Sequence, residues 1–224
     1  MSWVQWLQNI VNVSKIVELG AFVFSAYQFW KNRRERNVAD AVAAHRAIID
    51  SNYQAWQVIN SAQGKGGSGG RVEALADLLR NGVSLAGINL DDAWLEGVSL
   101  ANATLVRSSM RGANLANANL SGANLEGADL RGAHLVAANL CDANLKGADI
   151  TDARLSAATL DRADLTDVIG WRSVRSISHA SIDGVRRAPA GFVAFARDQG
   201  AVDAVTEAEP ADELDSYSRV FRAI

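Results

Sequence analysis

The sequence is poor in several residues that mark common classes of protein. Its 224 residues include one cysteine, two prolines and three histidines. The single Cys141 excludes an intrachain disulfide and favours a reducing compartment, and the neighbouring Asp142 opposes a reactive thiolate there. The histidines, at positions 45, 134 and 179, lie too far apart for a ligand-spaced cluster. We therefore predict no metal site and no cofactor.

The chain also lacks a strong excess of positive or negative charge. The chain carries 22 Lys and Arg against 25 Asp and Glu, for a formal net charge of -3. The balance is +3 over residues 1–80, -5 over residues 81–170 and -1 over residues 171–224. Binding to a phosphate backbone calls for a dense basic patch. The composition therefore predicts that nucleic acid is not a partner.

No catalytic signature stands out. The stretch from Gly64 to Gly69 formally satisfies the dinucleotide-binding pattern G-x-G-x-x-G. That pattern requires a preceding strand, however, and here a predicted helix precedes it. The sequence also has no Ser/His/Asp or Cys/His set with a recognisable local spacing. We predict that the protein is not an enzyme and has no catalytic residues.

Leucine, by contrast, recurs at every fifth position. From residue 85 to residue 165 all 17 positions at multiples of five are apolar, and the only two that are not leucine are Met110 and Ile150. In an α-helix a step of five would spread these side chains around the helix, and in a flat strand it would send them to alternate faces. The period makes sense if the backbone turns a corner every five residues, so that each side directs its leucine toward a common axis. The sequence therefore predicts a β solenoid.

A second regularity describes the interior of this solenoid. Thirteen of the 17 positions two residues before these apolar residues are alanine. Positions two apart in extended chain share a face, so large and small side chains alternate toward the axis and fill a narrow core at high density. The predicted structural core is represented by the run Leu115, Leu120, Leu125, Leu130 and Leu135.

The repeated units ANLSG, ANLEG and ADLRG resemble the pentapeptide repeat proteins, and the resemblance covers about residues 81–170. It implies four sides per coil and therefore a right-handed quadrilateral β-helix with twenty residues per coil. We predict this β-helix over residues 83–187, with a degenerate last coil because the register slips after Val168 and resumes at Ile177 and Ile182.

Helices are predicted to cap both ends of the solenoid, since open ends invite association. Residues 71–82 place Val72, Leu75, Leu78 and Leu79 at helical spacing before Asn-Gly. Residues 188–200 begin near a proline and end at a glycine, with Phe192, Val193 and Phe195 directed at the last coil. Residues 201–224 are predicted to form an acidic tail.

The amino-terminal segment is hydrophobic and ends in the basic stretch KNRRER. Residues 1–36 are predicted to form a hydrophobic helix with a basic flank, and residues 37–70 a helical connector with a glycine-rich linker. Twenty residues from Val11 to Trp30 suffice for one membrane span if Lys15 reaches the interface, and the positive flank places the repeat domain in the cytoplasm. Two alternatives remain, namely a helix lying on the membrane surface through Trp3, Trp6, Leu7 and Ile10, and a helix packed on protein in a soluble cytoplasmic molecule.

Sorting outward residues by a twenty-residue coil gives two candidate faces. A candidate acidic face carries two arginines, Arg111 and Arg131, among five aspartates: Asp91, Asp92, Asp129, Asp149 and Asp152. A candidate interaction face carries Trp94, His134, Val136 and Arg154, and its net charge is zero because Glu96 balances Arg154. Ordinary solvated surface, with Trp94 packed on the amino-terminal cap, is the alternative for both.

Two functions follow as hypotheses. The first is a membrane-tethered scaffold or interaction module that displays side chains to an unidentified protein partner. The second follows from the resemblance, which implies DNA mimicry and binding to a type II topoisomerase in some members. The short repeat, the two arginines on the acidic face and the absence of Phe at inward positions argue against the second. A homo-oligomer joined through Phe192 and Phe195 is compatible with either.

Overall fold

The chain forms helices at its amino-terminal end and a four-sided coil over the repeats. The computed structural model describes residues 2–61 and 70–203, without the side chains of residues 7, 9–14 and 16. In chain order the elements are α1 (Trp3–Ser61), α2 (Arg71–Arg80), a 3₁₀ turn (Trp171–Ser173) and α3 (Phe192–Asp198). Residues 62–69, which include most of the predicted glycine-rich linker, lie outside the described residues. So do residues 204–224, which make up most of the predicted acidic tail.

Single parallel bridges join successive coils of the repeat. Asn89 pairs with Ser109, Ser109 with Asp129, and Asp129 with Asp149, so each coil takes twenty residues. The outward residue before each inward leucine makes the bridge, and the chain then turns a corner, which limits each side to one bridging residue. Four five-residue sides per coil follow directly from this spacing.

Each corner places a residue in the left-handed region of backbone space. This residue comes two positions after the inward leucine and has φ of 62° at Gly112, 57° at Asn102 and 57° at Asp142. Glycine adopts this region without cost, and Asn and Asp tolerate it better than other residues. The recurrence of these residue types at the corner therefore reflects a backbone requirement.

Where Asn or Asp precedes the inward leucine, its side chain stabilises the same corner from the outside. The Asn119 Oδ1 accepts hydrogen bonds from the backbone N–H of Ser121 at 3.1 Å and from its hydroxyl at 2.8 Å. Asn139 and Asn144 accept in the same way from the N–H groups two residues on. These side-chain bonds mimic a backbone turn and explain why the repeat contains Asn or Asp next to leucine.

The core is the column of inward leucines and alanines. The five predicted core leucines, Leu115, Leu120, Leu125, Leu130 and Leu135, are all fully buried. Burying one such side chain contributes about 1.5–3 kcal/mol. Ser108 takes an alanine position, and its buried hydroxyl donates a 2.7 Å hydrogen bond to the Leu105 carbonyl.

Two extra residues enter the solenoid after Val168. Arg154 pairs with Ser176 and Thr159 with Ser181, a spacing of 22 where earlier coils have 20. The 3₁₀ turn Trp171–Ser173 accommodates the insertion, and the buried Ile177 and Ile182 resume the inward pattern. The chain then forms α3 and returns to pair Val202 with Ser181.

Helices pack on both ends of the solenoid within the unit formed by residues 52–224. At the amino-terminal end Ala55 and Ile59 of α1 and Leu75 and Leu78 of α2 belong to one buried cluster with the first coil. At the other end Phe192 is buried. The Trp171 ring meets the rings of Phe192 and Phe195 edge to face, at centroid distances of 5.9 Å and 5.5 Å.

The other unit, residues 1–51, consists of the first part of α1. The two helical segments predicted with a boundary after residue 36 form one uninterrupted helix. No proline or glycine lies between residues 21 and 61 to break it, and Lys, Arg and Glu in KNRRER are good helix formers.

The predicted transmembrane span has no support in this helix. Among the described residues the structure contains no helix long and apolar enough to cross a membrane. The range counted from Val11 includes residues 11–14 and 16, whose side chains are outside the described set. The uncharged run that follows Glu18, from Leu19 to Trp30, rises only about 18 Å as a helix, well short of a hydrocarbon core of about 30 Å. The prediction of a single-pass anchor is therefore not supported.

Candidate functional site

Four of the outward residues on one side of the solenoid form a continuous ladder. Parallel bridges join Trp94 to Asn114, Asn114 to His134 and His134 to Arg154. We call this ladder, together with Val136 beside it, the tryptophan face. At about 4.8 Å between neighbouring coils, Trp94 and Arg154 lie about 14 Å apart along the solenoid.

The side chains of the tryptophan face differ in how well the protein covers them. Trp94 is 58% exposed and Val136 is 38% exposed, so both side chains are accessible to a second molecule. Asn114, His134 and Arg154 are half-buried between their neighbours on the ladder. The exposed tryptophan and, two coils farther along, the partly exposed valine offer apolar contact to a second molecule, and the polar groups of the ladder offer hydrogen bonding.

The surroundings of His134 lower its pKa and so favour the uncharged imidazole at neutral pH. Burial lowers its pKa, and the positive charges of Arg154 and Arg175 lower the pKa further. Arg154 itself makes no ion pair with any residue in the described part of the chain. The face thus presents one uncompensated cation near its carboxyl-terminal end.

The candidate acidic face is an alternating row of opposite charges. The Arg111 guanidinium lies 3.2 Å from the Asp91 carboxylate and 3.6 Å from the Asp129 carboxylate. The Arg131 guanidinium lies 2.6 Å from Asp129 and 3.8 Å from Asp149. The hydrogen bond from Arg131 holds the pKa of Asp129 below its usual range. We call these five residues the aspartate–arginine row, and its charges are mostly compensated within the protein.

The two remaining aspartates of the acidic face occupy corners. Asp92 and Asp152 have φ of 53° and 59°. Asp152 lies 3.8 Å from the Arg175 guanidinium, and Asp92 Oδ1 takes the space next to Gly112. All five predicted aspartates are therefore on the same side of the solenoid as the two arginines, as a twenty-residue coil requires.

A further cluster surrounds the only cysteine. Arg162 donates to both Asp142 carboxylate oxygens, at 3.0 Å and 2.8 Å, and its Nη2 lies 2.8 Å from Cys141 Sγ. Burial raises the pKa of Cys141, the neighbouring Asp142 raises it further, and Arg162 opposes this effect. Such a thiol is mostly protonated at neutral pH.

Sequence reasoning missed two residues at these sites and one in the cap. Asn114 completes the tryptophan face between Trp94 and His134, and its twenty-residue spacing from both would have identified it. Arg175 acts on His134 across the two-residue insertion, which the simple period does not predict. The role of Trp171 in the aromatic cap had no periodic signal because it lies inside that insertion.

Comparison with known proteins agrees with this repeat geometry. The family model described as pentapeptide repeats matches the chain with eight copies, over residues 84–122, 94–132 and 128–167. No curated protein sequence matches the chain.

Several solved structures are similar to parts of the chain. A pentapeptide repeat protein from Nostoc Pcc 7120 is 32% identical over 44% of this chain and 84% of its own, with a TM-score of 0.25. A pentapeptide repeat protein from the thylakoid lumen of Arabidopsis thaliana is 29% identical over 38% of this chain and 66% of its own, with a TM-score of 0.25. QnrB1, a plasmid-mediated fluoroquinolone resistance protein, is 18% identical over 55% of this chain and 66% of its own, with a TM-score of 0.33.

The chain spans just under two thirds of the length of the last two proteins. The matched repeats coincide with the coils in which inward leucines recur every five residues and bridges every twenty. These repeats fold as a right-handed quadrilateral β-helix. The chain belongs to the pentapeptide repeat family.

Proposed function

We propose that this protein is a non-enzymatic interaction module whose tryptophan face binds a protein partner. Members of the family are generally structural or interaction proteins. A solenoid suits this role because its coils hold outward side chains at constant spacing along an extended surface.

One contrast between the two faces carries the proposal. The aspartate–arginine row pairs its charges within the protein, whereas the tryptophan face leaves Trp94 exposed and Arg154 without an ion pair among the described residues. Tryptophan and arginine are the residue types that most often dominate binding energy in protein interfaces. We therefore expect a partner to gain more binding energy at the tryptophan face than at the aspartate–arginine row.

The chemistry of the face defines the kind of partner. Trp94 requires an apolar pocket or an aromatic contact, and Arg154 requires a carboxylate about 14 Å farther along the solenoid. Asn114 and the neutral His134 supply hydrogen-bonding groups between these two anchors. A protein surface with an apolar pocket and an acidic residue at this separation matches the face.

The experiment is affinity capture with the full chain and a double variant, Trp94→Ala with Arg154→Glu. We expect a specific protein to bind the wild type and to be lost with the double variant, because both anchors are removed. The matched control is Lys146→Glu, which reverses a charge at an exposed ion pair with Glu126 on another side. This control should retain the partner.

Two results would contradict the proposal. Recovery of the same proteins with the wild type and the double variant would place binding elsewhere on the molecule. Loss of the partner with Lys146→Glu as well would indicate a general charge effect. Far-UV circular dichroism of all variants establishes that the solenoid is folded in each.

The alternative function, DNA mimicry toward a type II topoisomerase, requires a continuous negative surface. Here Arg111 and Arg131 alternate with three of the aspartates at ion-pair distances, which suppresses the negative potential of that side. We therefore expect micromolar protein to leave DNA supercoiling by gyrase unchanged. Inhibition that is strengthened by Arg111→Ala with Arg131→Ala would restore the topoisomerase hypothesis.

A further inference from the structure

The first part of α1 contains a run of large apolar residues that nothing covers within the described residues. Phe22 and Trp30 are each 73% exposed, and Leu19, Val23, Phe24, Tyr27 and Phe29 are also exposed. Exposed apolar surface of this kind marks an interaction site in a soluble protein. The run therefore requires a partner whose chemistry can be inferred from its pattern.

The apolar arc of this run is too wide for a helix packed on one neighbour. At 100° per residue the large side chains from Leu19 to Trp30 cover about 220° of the helix circumference. A helix on a protein surface usually shows a stripe of about 100°. Only Ala21, Ser25 and Gln28 occupy the remaining sector of the run. Such an arc is suited to a medium that surrounds the helix on most sides.

The carboxyl-terminal boundary of the run combines aromatic and cationic residues. Tyr27, Phe29 and Trp30 are followed by Lys31, Arg33, Arg34 and Arg36, with Glu35 as the single acidic residue. Val23, Tyr27 and Trp30 share one shallow groove with Lys31 and Arg34. Aromatic rings favour the boundary between lipid headgroups and acyl chains, and clustered Lys and Arg attract anionic headgroups.

We propose that residues 19–36 bind the surface of an anionic lipid bilayer. The apolar arc lies among the upper acyl chains of one leaflet, as in other interfacial helices. The Ser25 and Gln28 sector faces water, and the four cations extend to lipid phosphates. This mode of binding needs no membrane span, and it does not rest on the function proposed for the tryptophan face.

The charge pattern favours a bilayer over a second copy of the chain. In a parallel pair of α1 helices, Lys31, Arg33, Arg34 and Arg36 would face the same cations of the partner helix and repel them. An antiparallel pair would place them beside the apolar run or the segment before it, where Glu18 is the only acidic residue between Trp3 and Trp30. An anionic bilayer offers complementary charge at the place where the cations lie.

The experiment is flotation of the full chain with vesicles of phosphatidylcholine alone and of phosphatidylcholine with phosphatidylglycerol. We expect binding to the anionic vesicles that weakens with salt. Arg34→Gln should weaken this binding about fivefold, the effect of one basic residue at an anionic surface. Arg46→Gln is the matched control on the same exposed helix beyond the segment, and it should leave binding unchanged. Phe22→Ser with Phe24→Ser should abolish binding.

Three results would overturn the proposal. The first is no binding to anionic vesicles, and the second is equal weakening by Arg34→Gln and Arg46→Gln. The third is a concentration-dependent dimer in sedimentation velocity, without lipid binding, that Phe22→Ser with Phe24→Ser dissociates. That result would assign the run to a second copy of this chain.

Discussion

Two backbone requirements explain the residue choices within each pentad. The corner residue adopts positive φ, which favours Gly, Asn and Asp, and the residue before the leucine accepts a hydrogen bond from the N–H two positions later. Ala137 and Ala157 stand at corners with φ of 55° and 57° although alanine gains nothing there. Since they lie twenty residues apart, two successive coils each contain an unfavourable corner while the rest of the pattern is kept.

Gly170, which directly precedes the 3₁₀ turn of the two-residue insertion, is the glycine at which an added side chain should be most destabilising. It has φ of 74°, and an added Cβ would lie 2.7 Å from both the Cα and the N of Thr151. Gly170→Ala should therefore cost about 1–3 kcal/mol beyond the left-handed penalty of about 1–2 kcal/mol. Urea unfolding followed by circular dichroism measures the difference.

The matched control is Gly147→Ala. Gly147 has φ of 64°, and an added Cβ there meets no atom within 4 Å. It therefore incurs the backbone penalty alone. Equal losses of stability for the two variants would show that the backbone at the insertion moves freely and that the close approach to Thr151 carries no weight.

At the scale of elements, hydrogen-bonded aspartates on the outside of the coils make the stability of the solenoid depend on pH. Hydrogen bonding from Arg131 lowers the pKa of Asp129, and hydrogen bonding from Thr166 lowers the pKa of Asp164. A carboxyl with a lower pKa in the folded state stabilises the fold above its unfolded pKa, and this contribution disappears as the pH falls through the folded value. The free energy of unfolding should therefore vary little between pH 7 and pH 5 on account of these groups and decrease below about pH 4.

Asp129→Asn with Asp164→Asn tests the origin of this acid sensitivity. Asparagine keeps the oxygen that accepts from the N–H groups of Arg131 and Thr166 but does not titrate. The double variant should be less stable at pH 7 and should lose less stability than the wild type between pH 5 and pH 3. Parallel curves for the two proteins would assign the acid sensitivity to other carboxylates.

The carboxyl-terminal cap should affect the stability of the last coil more than the stability of the other coils. Phe192 is buried against Trp171, so Phe192→Ala should cost about 3–5 kcal/mol locally. In a repeat protein such a loss opens the nearest coil first. Hydrogen exchange should accelerate at the amides of His179 and Ile182, which bond to Gly200 and Val202.

The Leu120 amide, which bonds to Asn139 in a middle coil, is the internal reference for this measurement. Phe195→Ala is the matched variant, since Phe195 is only partly buried, and it should have the smaller effect. Uniform acceleration at Leu120 and Ile182 would show that the whole solenoid unfolds as one unit and that the cap has no local role.

At the scale of the whole molecule, the solenoid depends on phase more than on length. Removal of residues 121–140 deletes one full coil of twenty residues and joins Leu120 directly to Cys141. Every later residue therefore stays on the same side of the solenoid. Removal of residues 121–138 deletes less chain but places Asn139 where an outward Ser121 stood and shifts all later inward residues. The first deletion should give a folded solenoid with cooperative unfolding at a lower midpoint, and the second should lose circular dichroism and solubility. Similar stability of both would contradict a five-residue phase.

The extent to which sequence predicts this protein differs between its parts. The inward leucines and alanines and the corners follow from the five-residue period, because each position has one allowed direction. The slip after Val168 is visible as a break in that period, but its length of two residues came from the structure. The number of sides came only from the family resemblance. The helix continues through the boundary predicted after residue 36, and the predicted membrane span has no support in the described residues. Both predictions relied on local composition. A continuous helix depends on the absence of breaking residues, and a span depends on uninterrupted apolar length.

By itself, the sequence determined the period of the coil, its core and its corners, since a repeat of five permits one backbone path with leucine inside. Only the tertiary structure decided which outward residues meet, because contacts between residues twenty or 22 apart depend on how coils stack. Stacking brings Arg111 and Arg131 between aspartates and neutralises one side, whereas it leaves Trp94 exposed and Arg154 without an ion pair among the described residues. It also places Trp171 of the insertion against α3, a contact for which the repeat pattern contains no signal.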